Sequence, residues 1–211
     1  MAGPSGLSNV QFVDTALEYV AKHGLDGLTM RSLGLAMGTD PTALYRYFPS
    51  KEALIDAMLD RILEEALDVA PGRSPRDSLE FLIANCRESF QRHPRVVGAF
   101  ATTRGSLPHG AEFMNRSIGY LDAIGLRGRS LVIGYQMLEG YILGSSVFDS
   151  GDFPKGWATR QLRYRATNRS EFADVAISEK SVSSASNDAF THGLKALLDY
   201  CEQVATDQSL G

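Results

Sequence analysis

The stretch Leu28–Leu54, LTMRSLGLAMGTDPTALYRYFPSKEAL, decides the fold. Its punctuation is local and chemical. Thr29 precedes an apolar-periodic run and reads as the N-cap of a short helix through about Met37. Gly38 ends that helix in a turn. Asp40 caps the next helix, with Pro41 in its first turn, where a missing N–H costs nothing. Ser50 caps a longer helix through Ile55, Met58, Leu59, Ile62 and Leu63 toward Ala70. Two short helices joined by a tight turn, then a capped third, are the layout of a helix-turn-helix. In that motif the second helix lies in the major groove of DNA.

The side chains of the stretch sort by role. Leu33, Ala36, Leu44 and Phe48 fall where they would pack the helices together, and Asp40 reads as a cap rather than a base reader. The helix Asp40–Tyr47 is the reading helix. Its start offers free N–H groups and a positive dipole end to phosphate. Thr42 can bond a base edge or touch a thymine methyl. Tyr45 and Tyr47 can bond phosphate oxygens, Lys51 can pair with phosphate, and Arg31 and Arg46 are further backbone contacts. With their neighbours, the DNA-contacting candidates are Thr29, Arg31, Thr39, Pro41, Thr42, Ala43, Tyr45, Arg46, Tyr47 and Lys51.

Charge limits how such a head could bind. The chain of 211 residues carries a formal charge of −4. Residues 1–60 set Lys22, Arg31, Arg46 and Lys51 against Asp14, Glu18, Asp26, Asp40, Glu52, Asp56 and Asp60, a net −3. There is no global electrostatic footprint for nucleic acid. Affinity must rest on a few placed groups, doubled by a dimer, and be strongly salt-sensitive.

Upstream, Ser8 and Gln11 fit a capping box, and Val10, Val13, Leu17 and Val20 form a helical stripe ending at His23. Gly24 is the expected left-handed C-cap. Downstream, Pro71-Gly72 breaks the chain, and helical patterns follow over Pro75–Arg92, Pro94–Thr103, Gly110–Ile124 and Arg129–Phe148. Asp149–Gly156 reads as a loop. Glu179–Ser186 turns to Ser and Ala, which predicts a mobile connection to a last helix, Asn187–Ala205. Strand alternation and internal repeats are absent. The expected fold is all-α: a three-helix head over 1–49 and a larger helical body over 50–211.

Other classes find little support. Cys86 and Cys201 lack metal-site or disulfide-framework spacing and read as thiols in a reducing cytosol. MAGPSGLS shows no basic region followed by an apolar run, so no signal peptide is expected and the chain is placed in the cytoplasm. Leu131–Phe148 is almost wholly apolar, but Gln136 and Glu139 near its centre are expensive in lipid. A buried helix fits better. No GxSxG, HExxH, P-loop or GxGxxG occurs, and His23, His93, His109 and His192 are scattered, so no enzyme, metal or cofactor is expected. Asn-x-Ser matches at Asn115 and Asn168 mean nothing without secretion.

The segment through Met58 resembles the N-terminal domain of TetR-family transcriptional regulators. The likeness runs through Thr29, Leu33, Ala36, Gly38, Leu44, Tyr45, Tyr47, Phe48, Lys51, Glu52 and Leu54. The chain departs at Thr39, where Val is common, and lacks a basic N-terminal arm. AFTHGLKALLDY (Ala189–Tyr200) is similar to the final helix of the tetracycline-repressor-type ligand domain. The resemblance covers the first quarter of the chain and this last helix.

It implies a homodimeric repressor that binds a palindromic operator in double-stranded DNA and is released by a small-molecule effector. The alternative is a ligand-binding helical protein without operator binding. The residues support the body independently. Leu131–Phe148 is apolar all round and needs cover on every side, and Asn187–Ala205 is its natural partner in a four-helix dimer interface. Effector-pocket candidates are Ile62, Phe90, Phe100, Phe113, Met114, Tyr120, Met137 and Tyr141, with Arg104, Asn115, Gln136 and Glu139 as polar anchors. Glu139, in so apolar a helix, needs a partner, and an ion pair with an arginine is the first expectation. The basic segment Lys155–Ser170 reads as a solvated loop or helix.

Overall fold

The computed structural model describes residues 8–103, 107–149 and 156–209. These form α-helices and no strands, as the all-α reading expects. Helix α1 (Asn9–His23) opens on a reciprocal cap. Ser8 Oγ accepts from the Gln11 amide at 3.3 Å, and Gln11 Oε1 accepts from the Ser8 amide at 2.8 Å. Gly24 ends it with φ 75°, but its ψ of 164° is extended rather than left-handed helical. Phe12, Val13, Ala16, Leu17 and Val20 are buried, whereas Val10 is exposed. That buried stripe is centred about a quarter turn away from Val10.

Helix α2 (Met30–Ala36) starts on a second reciprocal cap, between Thr29 and Ser32. Helix α3 (Pro41–Leu44) is capped by Asp40. It is shorter than the expected Asp40–Tyr47 span. After Leu44 the bonds tighten: the Arg46 amide donates to Ala43 O and the Tyr47 amide to Leu44 O, the i→i+3 pattern of a 3-10 turn. Leu33, Leu44 and Phe48 are buried as expected, but Ala36 faces solvent. The close contact belongs to buried Gly34, where a Cβ would stand 3.1 Å from Cα and Cγ of Pro41.

Helix α4 (Lys51–Leu67) joins head to body, with Leu54, Met58, Leu59, Ile62, Leu63 and Ala66 buried along it. It packs on α1, on α5 (Pro75–Arg92) and on α7 (Pro108–Ile124). Between α5 and α7 lie the short α6 (Pro94–Val97) and a 3-10 turn, Gly98–Ala101. Helix α8 (Gly128–Asp149) packs on α5 and α7. Helices α9 (Gly156–Arg165) and α10 (Ser170–Val175) lead to α11 (Glu179–Ser209), which lies on α8 and α9. Most of the loop expected at Asp149–Gly156 falls outside the described residues.

A further expectation changes here. Glu179–Ser186 is no mobile connection: it forms the first turns of the 31-residue α11. Val182 and Ser186 are buried there, and Ser178 Oγ accepts from the Ser181 amide at 3.1 Å. Ser and Ala mark a close-packed face, and Ala is the strongest helix former. Helix α8 is not covered on every side within one chain. Val132, Ile133, Met137 and Phe148 are exposed. The basic segment is helical over α9, where the Arg165 guanidinium donates to Ala176 O at 3.1 Å and Arg160 bonds Ser186 Oγ. Cys86 and Cys201 are free, buried thiols, and burial raises both above the ordinary range. No described helix is long and apolar enough to cross a membrane.

Candidate nucleic-acid interface and ligand cavity

The head presents one polar surface. Thr42, Tyr45, Arg46 and Tyr47 are exposed after the turn, and Arg31 is exposed on α2. Tyr45 is 54% exposed, and among the described residues its ring has no aromatic neighbour. Tyr47 is more anchored: its ring lies 4.8 Å from that of Phe12, centroid to centroid. Pro41 and Ala43 are half-buried, and the Thr39 amide donates to Gly34 O at 2.9 Å, closing the turn. Thr29 spends its hydroxyl oxygen on the α2 cap.

Two details limit what this surface can do. The Thr42 amide and hydroxyl both donate to Asp40 Oδ1 at 2.8 Å. The expected free amide at the start of α3 is therefore occupied, and the Thr42 hydroxyl, its proton given to Asp40, is left to act as an acceptor. These bonds hold the Asp40 carboxyl below its ordinary range, the backbone bond contributing most. Lys51 is half-buried, and its Nζ donates to Leu25 O at 3.2 Å, tying the start of α4 to the loop after α1.

Helix α4 carries polar groups away from the head. Asp56 accepts from the Thr103 hydroxyl. Asp60 Oδ1 accepts from the amides of His109, at 2.8 Å, and Gly110, at 3.3 Å, while Oδ2 lies 2.8 Å from His109 Nδ1. These are first-turn amides of α7, whose cap position holds Leu107 and supplies no side-chain oxygen. Asp60 is thus the cap of α7. Asp56 and Asp60 escaped the sequence reading. The available signal was the missing cap before Pro108.

The chain segment that α4 holds borders a cavity of about 350 Å³, to which Thr103, Leu107 and Gly110 contribute. Phe90, Phe100, Phe113, Met114 and Glu139 from the expected set line it. Ile62 lies in the core beside Leu63, which does line it. Tyr120 is half-buried elsewhere, and Gln136, Met137 and Asn115 are exposed. The ring of Tyr141 stacks on Phe190 at 5.2 Å, and its hydroxyl donates to Phe190 O at 2.9 Å. Arg104 lies outside the described residues. Among the lining residues outside the expected set, Tyr135, Ser117, Thr103 and Cys86 carry hydroxyl or thiol groups. Among the described residues Glu139 pairs with no arginine. The Tyr135 hydroxyl, one helical turn away, donates to its Oε1 at 3.2 Å. Burial, then the Glu139 charge, push the Tyr135 hydroxyl up to about 12, so it stays protonated as the donor.

Residues 12–58 match the family model of bacterial regulatory proteins, tetR family. Residues 70–204 match that of the tetracyclin repressor-like C-terminal domain. The chain belongs to the TetR family. This is a family of transcriptional regulators, not of enzymes. The second match spans the middle of the chain, beyond the short likeness read at Ala189–Tyr200. The HTH-type transcriptional repressor DrrR1 of Streptomyces coeruleorubidus is 30% identical over 137 residues, 64% of this chain and 50% of that one. The chain spans about half the length of the curated relatives that it matches. A Streptomyces coelicolor A3(2) crystal structure, described as a possible TetR family transcriptional regulator, aligns with TM-score 0.76 and 25% identity. The alignment covers 93% of this chain and 100% of that one. The TetR family protein ActR of Streptomyces coelicolor, in complex with actinorhodin, aligns with TM-score 0.72 and 21% identity, covering 95% and 99%.

Proposed function

We propose that this TetR-family chain is a cytoplasmic repressor that binds a palindromic operator as a homodimer and lets go when a small molecule fills the cavity. The head, residues 1–49, reads DNA. The body, residues 50–211, holds the effector and pairs the subunits. The observation that carries this reading is the continuity of α4. It bears Lys51 at the head and, through Asp56 and Asp60, holds the segment that borders the cavity.

The exposed Thr42, Tyr45 and Arg46 support DNA contact, with Arg31 and Tyr47 flanking them. Thr29, Thr39, Pro41, Ala43 and Lys51 act mainly by shaping the motif that presents these groups. The open apolar face of α8, with Val132, Ile133 and Met137, supports pairing with a second copy.

The test is a gel shift on the DNA upstream of the chain's own gene, at several salt concentrations. Tyr45→Ala and Arg46→Ala should each weaken the shift about tenfold, and Arg46→Ala should lower the salt slope by about 1. Full affinity in both variants, with folding intact, would sink the contact assignment. No shift for the parent chain would favour a ligand-binding protein without operator, a role compatible with the net acidic head.

A further inference from the structure

The chemical character of the cavity narrows its occupant, and this inference rests on the cavity being the effector site. The walls are aliphatic and aromatic. Phe90 and Phe100 meet at 5.0 Å between ring centroids, and Phe113 and Tyr135 add two further rings. Among the described lining residues Glu139 is the one carboxylate, and none is Lys, Arg or His. The Tyr135–Glu139 bond also fixes polarity. The hydroxyl proton of Tyr135 is committed to Glu139, so its oxygen and the rest of the carboxylate can only accept. On α7, Ser117 Oγ is buried and has no hydrogen-bond partner. Buried polar atoms are ordinarily paired, so this hydroxyl is poised for a guest.

We propose that the cavity takes a compact aromatic cation, a fused-ring amine whose N–H groups donate to Glu139 and whose ring system packs among the phenylalanines. The aromatic faces attract positive charge, and the carboxylate compensates it. An anion would instead meet the Glu139 charge. The volume of about 350 Å³ suits a small ring system. A second polar substituent on such a guest would find Ser117.

Three probes with similar three-ring bodies test this on the full chain without DNA, by calorimetric titration near neutral pH. They are 9-aminoacridine, a cation; acridine, neutral; and anthracene-9-carboxylate, an anion. The expected affinity order is cation, neutral, anion, with about tenfold or more between the first and last. Glu139→Gln should weaken 9-aminoacridine about tenfold and leave acridine within about twofold, with unchanged thermal unfolding because Glu139 is exposed. Tightest binding by the carboxylate, or an order unmoved by Glu139→Gln, overturns the cation assignment and leaves the cavity standing as the effector site. Binding of none of the three up to their solubility overturns both.

Discussion

Asp40 and Asp60 do one job in two regions. Each carboxylate accepts backbone amides at the first turn of a helix. Asp40 reaches two residues along the chain, within the head. Asp60 reaches 49 residues, from α4 to α7 in the body. The turn of the head around Asp40 is therefore built from neighbours, and its shape belongs to a short stretch of chain. The start of α7 exists as drawn only when α4 lies beside it. A protein made this way can keep the shape of its head constant while the joint between α4 and α7 shifts.

The comparison breaks most sharply at Asp60. Asp60→Ala removes the one oxygen that accepts from two amides and the partner of the His109 ring, and should cost about 1–2 kcal/mol in chemical denaturation. Amide protection should fall at the start of α7 and stay unchanged in α2 and α3. Loss of protection in the head instead would mean that the two caps are not independent.

Asp40→Ala should lower the melting temperature by less than Asp60→Ala, because Asp40 stands in solvent and only the four-residue α3 depends on it. The pH dependence has a definite sign. The native carboxyl titrates below its ordinary value of 3.8, so its contribution is present above that value. It is lost as pH falls through the lower native value. The Thr42 amide resonance should report that titration, and a midpoint above the ordinary value would contradict the cap.

Why the head was readable and the body less so follows from the same distances. Ser8, Thr29, Asp40 and Ser50 each cap an amide two or three residues on, so composition within one turn was enough. The buried Leu33, Leu44 and Phe48 followed from spacing. Ala36 did not, because the α2–α3 approach is made at Gly34, against Pro41. In the body, the Ser/Ala run of α11 was misread because its packing partners lie on other helices. The partner of Glu139 among the described residues is Tyr135, four residues away on the same helix, and not an arginine. Cavity-lining residues are brought together from α4, α5, α7 and α8. Periodicity shows which residues are apolar but not which of them border empty space, which is why Phe90 and Ile62 looked alike.

The smallest effect is expected at Ser117. Its hydroxyl is buried without a partner, so Ser117→Ala should leave stability within about 0.5 kcal/mol or raise it slightly. A larger loss would show that this hydroxyl is paired in solution.

Lys51 sets the mechanical scale of the molecule. Its ammonium fastens the first turn of α4 to the carbonyl of Leu25, so the head and the start of α4 move together. Nine residues separate Lys51 from Asp60, about 13 Å of helix. A tilt of α4 pivoting at Asp60 shifts the head end by roughly 0.2 Å per degree over that rise. A few degrees then displace the head by a large part of an ångström, which under the proposed function is comparable to the tolerance of a hydrogen bond to a base edge.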